Sequence, residues 1–161
     1  MRGRHEVDRL KRLLDNTFSR VDQLGTDLEV RSDLARYLCV LVSGYVENAV
    51  VELILAHCAR QAAPSVQRYV ESTLERFTNV NREKLLQLVG TFDSDLRVKL
   101  ENYIVDEREA ALNSVVALRH QIAHGGSAGI SYARIREYYS SIQEIVEYLS
   151  DLLDPVPVQR R

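Results

Sequence analysis

Residues 118–125 read LRHQIAHG, and they hold Arg119 together with His120 and His124, two of the four histidines in the 161-residue chain. Imidazoles carry protons near neutral pH and ligate metals, and a guanidinium presents a planar fork that matches a phosphate. His120 and His124 stand four apart on one edge of a helix, a spacing that lets two rings share a metal across one turn. The HQIAH pattern, however, has Gln121 where metal-assisted hydrolysis would place a general-base glutamate, and glutamine accepts no proton at neutral pH. A third ligand would have to be His5, His57 or a carboxylate, none of them marked by spacing. The reading is therefore no metal and no other cofactor.

Arg119 and His124 suggest different chemistry. On an ideal helix residues five apart point about 140° apart, so these two converge only if the last turn opens. Gly125 and Gly126 would permit that opening at His124. An arginine and a histidine at such a site are the parts that metal-free RNA cleavage requires. A base removes the proton from a ribose 2′-OH, the oxygen attacks the adjacent phosphorus, and a cation stabilises the added charge. DNA, which lacks the 2′-OH, would be spared.

Other chemistries find little support. Cys39 and Cys58 show no sign of activation, no serine sits in a nucleophile elbow, and GGSAG follows no strand and has no lysine. The formal charge of −2 sets up no global basic field, so any nucleic-acid contact has to be local. Two cysteines in apolar helical sequence read as buried free thiols, which suits a cytoplasmic location. The start, MRGRHEVDRLKRLL, lacks the apolar core of a secretory signal. Leu38 to Ala56 is nearly long enough to span a membrane but carries Glu47, Asn48 and Glu52, so it reads as a buried helix with no membrane partner.

The elements that must position Arg119 and the histidines are helical throughout, because apolar positions recur at helical spacing and no strand alternation is present. With 45% apolar residues, seven glycines and three prolines, the chain reads as one all-α domain over residues 1–154, with 155–161 as a short flexible tail. The spacing predicts helices from about His5 to Leu24, ended by Gly25, and from about Val30 to Gln61, stopped by Pro64. A third covers SVQRYVESTLERF, Asn81 caps REKLLQLVGTF, and DSD opens a short fifth helix. The sixth runs from about Asp106 to His124, GGSAG is a loop, and Ser131 caps the last helix. That helix carries a seam of Ile135, Tyr138, Ile142, Ile145, Leu149 and Leu152.

The second helix has two apolar faces, Leu34, Leu38, Leu41, Tyr45, Ala49 and Leu53 on one, and Val40, Ser43, Gly44, Glu47, Val51 and Ile54 on the other. That pattern makes it central. Glu47 then projects into an apolar stripe and needs a cation or hydrogen-bond donors. Arg119 lies in the inward stripe of its own helix, among Leu112, Val115, Val116 and Ala123, and needs an anion. The pairing that answers both needs is Glu47 with Arg119, as a structural ion pair, a functional one or both; removing Arg119 would then cost about 3–5 kcal/mol.

RHQIAHG resembles the Arg-x4-His signature of HEPN (higher eukaryotes and prokaryotes nucleotide-binding) domains. LCVLVSGYVENAVVELI is similar to their long second helix with its central glutamate, and NREKLLQLVGTF and SYARIREYY stand in the matching order. The likeness covers roughly Val30 to Leu153 and is nearest to the RiboL-PSP-type HEPN subgroup. It implies an up-and-down helical bundle with a long central second helix and additional short helices, and a homodimer whose motif helices meet at a shared cleft. It further implies a metal-independent endoribonuclease of toxin–antitoxin or phage-defence systems, with RNA as substrate and an antitoxin or other defence-system protein as partner. The alternative it leaves open is a non-catalytic module that binds RNA, a nucleotide or a protein. Carried over, Arg119 and His124 are the catalytic pair and Glu47 orients Arg119. His120 holds a position that is often asparagine in the family, and assists with phosphate or proton positioning.

Symmetric pairing would double the local positive potential at the Arg119–His124 edge, which a chain of charge −2 needs in order to hold RNA. Tyr132, Tyr138 and Tyr139 could stack bases, but core tyrosines with hydroxyls at the surface are the favoured reading.

Overall fold

The computed structural model of the chain describes residues 2–24, 27–126 and 129–155. Seven helices follow one another: α1 (Arg2–Gln23), α2 (Leu28–Gln61), α3 (Pro64–Leu74), α4 (Arg82–Gly90), α5 (Ser94–Tyr103), α6 (Asp106–Ala123) and α7 (Tyr132–Leu153). The proposed stop at Gly25 and the tail beyond Pro155 lie outside the described residues.

Local chemistry starts and stops these helices. Asp27 caps α2 by accepting from the backbone N–H groups of Glu29 and Val30, and Pro64 stands at the first turn of α3, where its missing N–H loses nothing. Asn81, Asp93 and Ser131 cap α4, α5 and α7 in the same manner as Asp27, satisfying donors that a bare helix start would leave unpaired.

Helix α2 is the centre of the bundle, packed against α1, α3, α6 and α7. It is long and apolar enough to cross a membrane by length and composition, and here those properties serve burial among four neighbours. Its buried residues form one broad face through Ala35, Leu38, Cys39, Val42, Tyr45, Val46, Ala49, Val50 and Leu53. The second apolar face expected from the sequence is only partly covered: Ser43 and Ile54 are buried, Gly44, Glu47 and Val51 are half-buried, and Val40 is exposed. On α7 the buried row takes Tyr139 and Leu153 in place of the expected Tyr138 and Leu152, both half-buried.

The long helices alternate in direction. The Cβ of an alanine at Gly3 in α1 would lie 2.5 Å from the Ala56 Cβ, so the start of α1 rides directly on the end of α2. Arg4 pairs with Asp151 at 2.8 Å at one end of the α1–α7 contact. At its other end Tyr132 donates to Asp22 at 2.6 Å, and between them Tyr139 donates to Asp15 at 2.7 Å with its ring stacked on Phe18. These bonds engage Tyr132 and Tyr139 in holding α1 to α7. Burial and the neighbouring carboxylates push the Tyr132 phenol up to about 12 and raise that of Tyr139 further.

The two thiols differ. Cys39 is fully buried, with its Sγ 3.7 Å from the Val115 carbonyl, and burial pushes its thiol up to about 11. Cys58, expected to be buried, is half-buried. At pH 8 the native chain is expected to take up a maleimide at Cys58 alone, and at both cysteines after denaturation. Intact-mass spectrometry checks this, and rapid native labelling of Cys39 would contradict the burial.

Candidate active site

Helix α6 ends as its sequence requires. The Gly125 N–H bonds the Ile122 carbonyl and the Gly126 N–H bonds the Gln121 carbonyl at 2.9 Å, with Gly125 at φ 72°. This is the Schellman closure, in which glycine takes the left-handed position that other residues occupy only at a cost. Gly125→Ala is expected to destabilise the chain by roughly 1–2 kcal/mol, measured by urea unfolding. Among the described residues no atom lies within 4 Å of the new Cβ, so the loss is conformational.

The closure fixes His124 as the C-cap residue, at φ −97° and ψ 15°, with its N–H still bonded to the His120 carbonyl at 3.2 Å. The last turn therefore does not open ahead of His124. No hydrogen bond joins His124 to Arg119 among the described residues; Arg119 is instead engaged by Asn79. What the helix does bring together is His120 and His124, both exposed, with ring centroids 4.4 Å apart. No group of three or more histidine, cysteine, aspartate or glutamate residues among the described residues is placed to hold a metal. His57 bonds the Leu153 carbonyl at 3.1 Å at the end of α7, and His5 is exposed on α1.

Arg119 is half-buried at the margin of its stripe, beside the buried Leu112 and Val115, while Ala123 one turn on is exposed. The expected Glu47–Arg119 ion pair is not formed; no such pair lies within 4 Å among the described residues. Asn79, in the loop between α3 and α4, stands between the two. Its backbone N–H donates to Glu47 Oε1 at 2.8 Å, and its side-chain oxygen accepts from Arg119 Nη1 at 2.6 Å.

The loop geometry explains this arrangement. Val80 is buried and pins the loop against the bundle. Asn79 takes φ 56°, a left-handed conformation that asparagine tolerates better than most residues, and its carbonyl accepts from the Asn81 N–H at 2.9 Å. Glu47 thus holds the loop backbone, and the loop holds Arg119. The sequence marks Asn81 as a cap but gives Asn79 no role; the signal for it is a turn-forming asparagine directly before the apolar Val80.

An open groove of about 620 Å³ runs beside the histidine edge, lined by Asn79, Asn81, Arg82, Asn113, His120 and their neighbours. Of the three tyrosines weighed for stacking, Tyr138 borders a different groove beside Arg134, and Tyr139 borders another beside Asp15 and Asp22.

A family model described as RiboL-PSP-HEPN matches residues 5–154. The chain belongs to the RiboL-PSP-HEPN family. The match takes in the whole bundle from α1 to the end of α7, further toward the N-terminus than the resemblance in the sequence suggested. No curated protein and no solved structure matches the chain. Within this HEPN bundle, Arg119 and His120 lie in the last two turns of α6, His124 caps it, and Glu47 is linked to Arg119 through Asn79 of the α3–α4 loop.

Proposed function

We propose that this HEPN protein is a metal-independent endoribonuclease that cleaves RNA by 2′-OH attack. The observation that carries the reading is the pair of exposed imidazoles at the glycine-closed end of α6, one turn from an arginine anchored by Asn79. His124 takes the 2′-OH proton, the 2′-oxygen bonds to phosphorus, and the bond from phosphorus to the 5′-oxygen breaks. The 5′-oxygen leaves with a proton, giving a 2′,3′-cyclic phosphate and a 5′-hydroxyl. Arg119 neutralises the extra phosphoryl charge, and His120 positions the phosphate or the proton.

The working site combines two copies, because Arg119 is held by Asn79 while His124 lies at the exposed end of its helix. A two-fold pairing along the exposed edge of α6 places the His124 of one copy near the Arg119 of the other and doubles the local positive charge. The protein acts in the cytoplasm as a toxin or defence effector, restrained by an antitoxin or another defence-system protein.

The hydrogen bond that commits Arg119 to Asn79 favours a second reading in which the arginine is structural and the protein is a non-catalytic module for RNA, a nucleotide or a protein partner. Single-stranded RNA incubated with the purified protein in excess EDTA separates the two. Cleavage with cyclic-phosphate ends supports the nuclease. Retained RNA binding with no cleavage supports the module, and activity that returns only with zinc would assign HQIAH to a metal.

A further inference from the structure

The groove beside His120 has an unusual lining. Each of its three asparagines commits its side-chain oxygen to a donor within the protein. Asn79 accepts from Arg119 at 2.6 Å, Asn81 from the Lys84 N–H at 2.9 Å, and Asn113 from the Arg82 N–H at 3.0 Å. A guanidinium and two backbone amides can only donate, so the oxygen of each amide is assigned by chemistry and the NH2 group is what remains. None of the three NH2 groups has a protein acceptor among the described residues. The groove therefore offers donors from all three amides. Glu83 and Glu109, in the same lining, offer only acceptors.

A phosphate suits this lining poorly. Its two carboxylates outweigh the single guanidinium of Arg82, which gives its Nε and Nη2 to the Ile104 and Glu101 carbonyls and stands 3.9 Å from Glu109. A flat neutral group bearing both acceptors and donors suits it well.

We propose that the groove is a guanine-reading subsite for a nucleotide next to the scissile phosphate, an inference that rests on the ribonuclease reading. Guanine presents O6 and N7 as adjacent acceptors for the amide NH2 groups. Its N1–H and N2–H2 are donors for the carboxylates. Adenine puts an N6–H2 donor where guanine has O6, facing amides whose unpartnered group is itself a donor. The imidazole of His120, in the groove wall, supplies an aromatic face against the base and links the subsite to the cleavage edge.

The test is the double variant Asn81→Asp, Asn113→Asp. Aspartate caps a helix as well as asparagine and still accepts from the Lys84 and Arg82 N–H groups, so the fold is kept while two donors become acceptors. Two readouts are taken. The bases flanking cuts in a random-sequence RNA pool are mapped by end sequencing, and guanosine and adenosine 3′-monophosphates are titrated calorimetrically into His124→Ala protein. The wild-type groove is expected to favour guanine over adenine by about tenfold or more in both, a ratio that falls to near one in the double variant. Cleavage without a flanking guanine preference, or a preference that the double variant leaves unchanged, overturns the subsite while the nuclease stands. A guanosine preference in binding by a protein that never cuts RNA keeps the subsite and removes the nuclease.

Discussion

His124→Ala is expected to slow RNA cleavage by about 10²–10⁴-fold, the usual contribution of a general acid or base, while moving stability by no more than about 0.5 kcal/mol. The two effects separate because of where the residue sits. The His124 side chain is exposed and, among the described residues, makes no hydrogen bond and has its one ring contact with His120. Its structural contribution is the backbone N–H to the His120 carbonyl, which alanine keeps. Cleavage rates in EDTA, set beside urea unfolding of the same protein, check both halves. An unchanged rate would remove His124 from the chemistry.

Arg119→Ala becomes a cleaner companion than the sequence alone suggests. A directly paired, buried Glu47 would be stranded by the loss of Arg119, at about 3–5 kcal/mol. In the structure Glu47 is half-buried and receives its hydrogen bond from the Asn79 backbone, which the substitution leaves in place. What is lost is one hydrogen bond to the Asn79 side chain, so the folded state survives and a fall in cleavage reports on phosphoryl charge.

The largest expected effect on stability is at Leu38→Ala, about 2–5 kcal/mol. Leu38 has no exposed surface, and α2 is held by helices on several sides, so the neighbours cannot collapse far into the space left behind. Val40→Ala, two residues along the same helix, is expected to change stability by no more than about 0.5 kcal/mol because Val40 is 37% exposed. Urea midpoints of the two variants compare the buried and open faces of α2 directly. A large loss at Val40 with a small one at Leu38 would mean that the helix is rotated from the orientation described.

The contrast between these residues shows how much of the molecule is legible without coordinates. Pro64, Asn81, Asp93, Ser131 and Gly125 mark helix ends in the sequence and act there in the structure, because capping uses side chains and backbone groups within a few residues of each other. Periodicity is nearly as local and identifies the helices. It assigned Val40 to a buried face wrongly, since it reports which residues share a side of a helix and not whether another helix covers that side.

By itself, then, the sequence determined an all-helical bundle of the RiboL-PSP-HEPN family, a long central helix with a glutamate in its middle, and an arginine and two histidines in the last turns of α6. Each of these follows from spacing along one segment or from likeness to a family. Tertiary structure alone decided that Arg119 is held by Asn79 and not by Glu47, and that the His124 ring lies against that of His120. Asn79 is 40 positions from Arg119 and 32 from Glu47, and it reaches both because the buried Val80 draws its loop onto the bundle. Opposite charges establish that partners are required; the path of the backbone between the helices determines which partner comes within hydrogen-bonding reach.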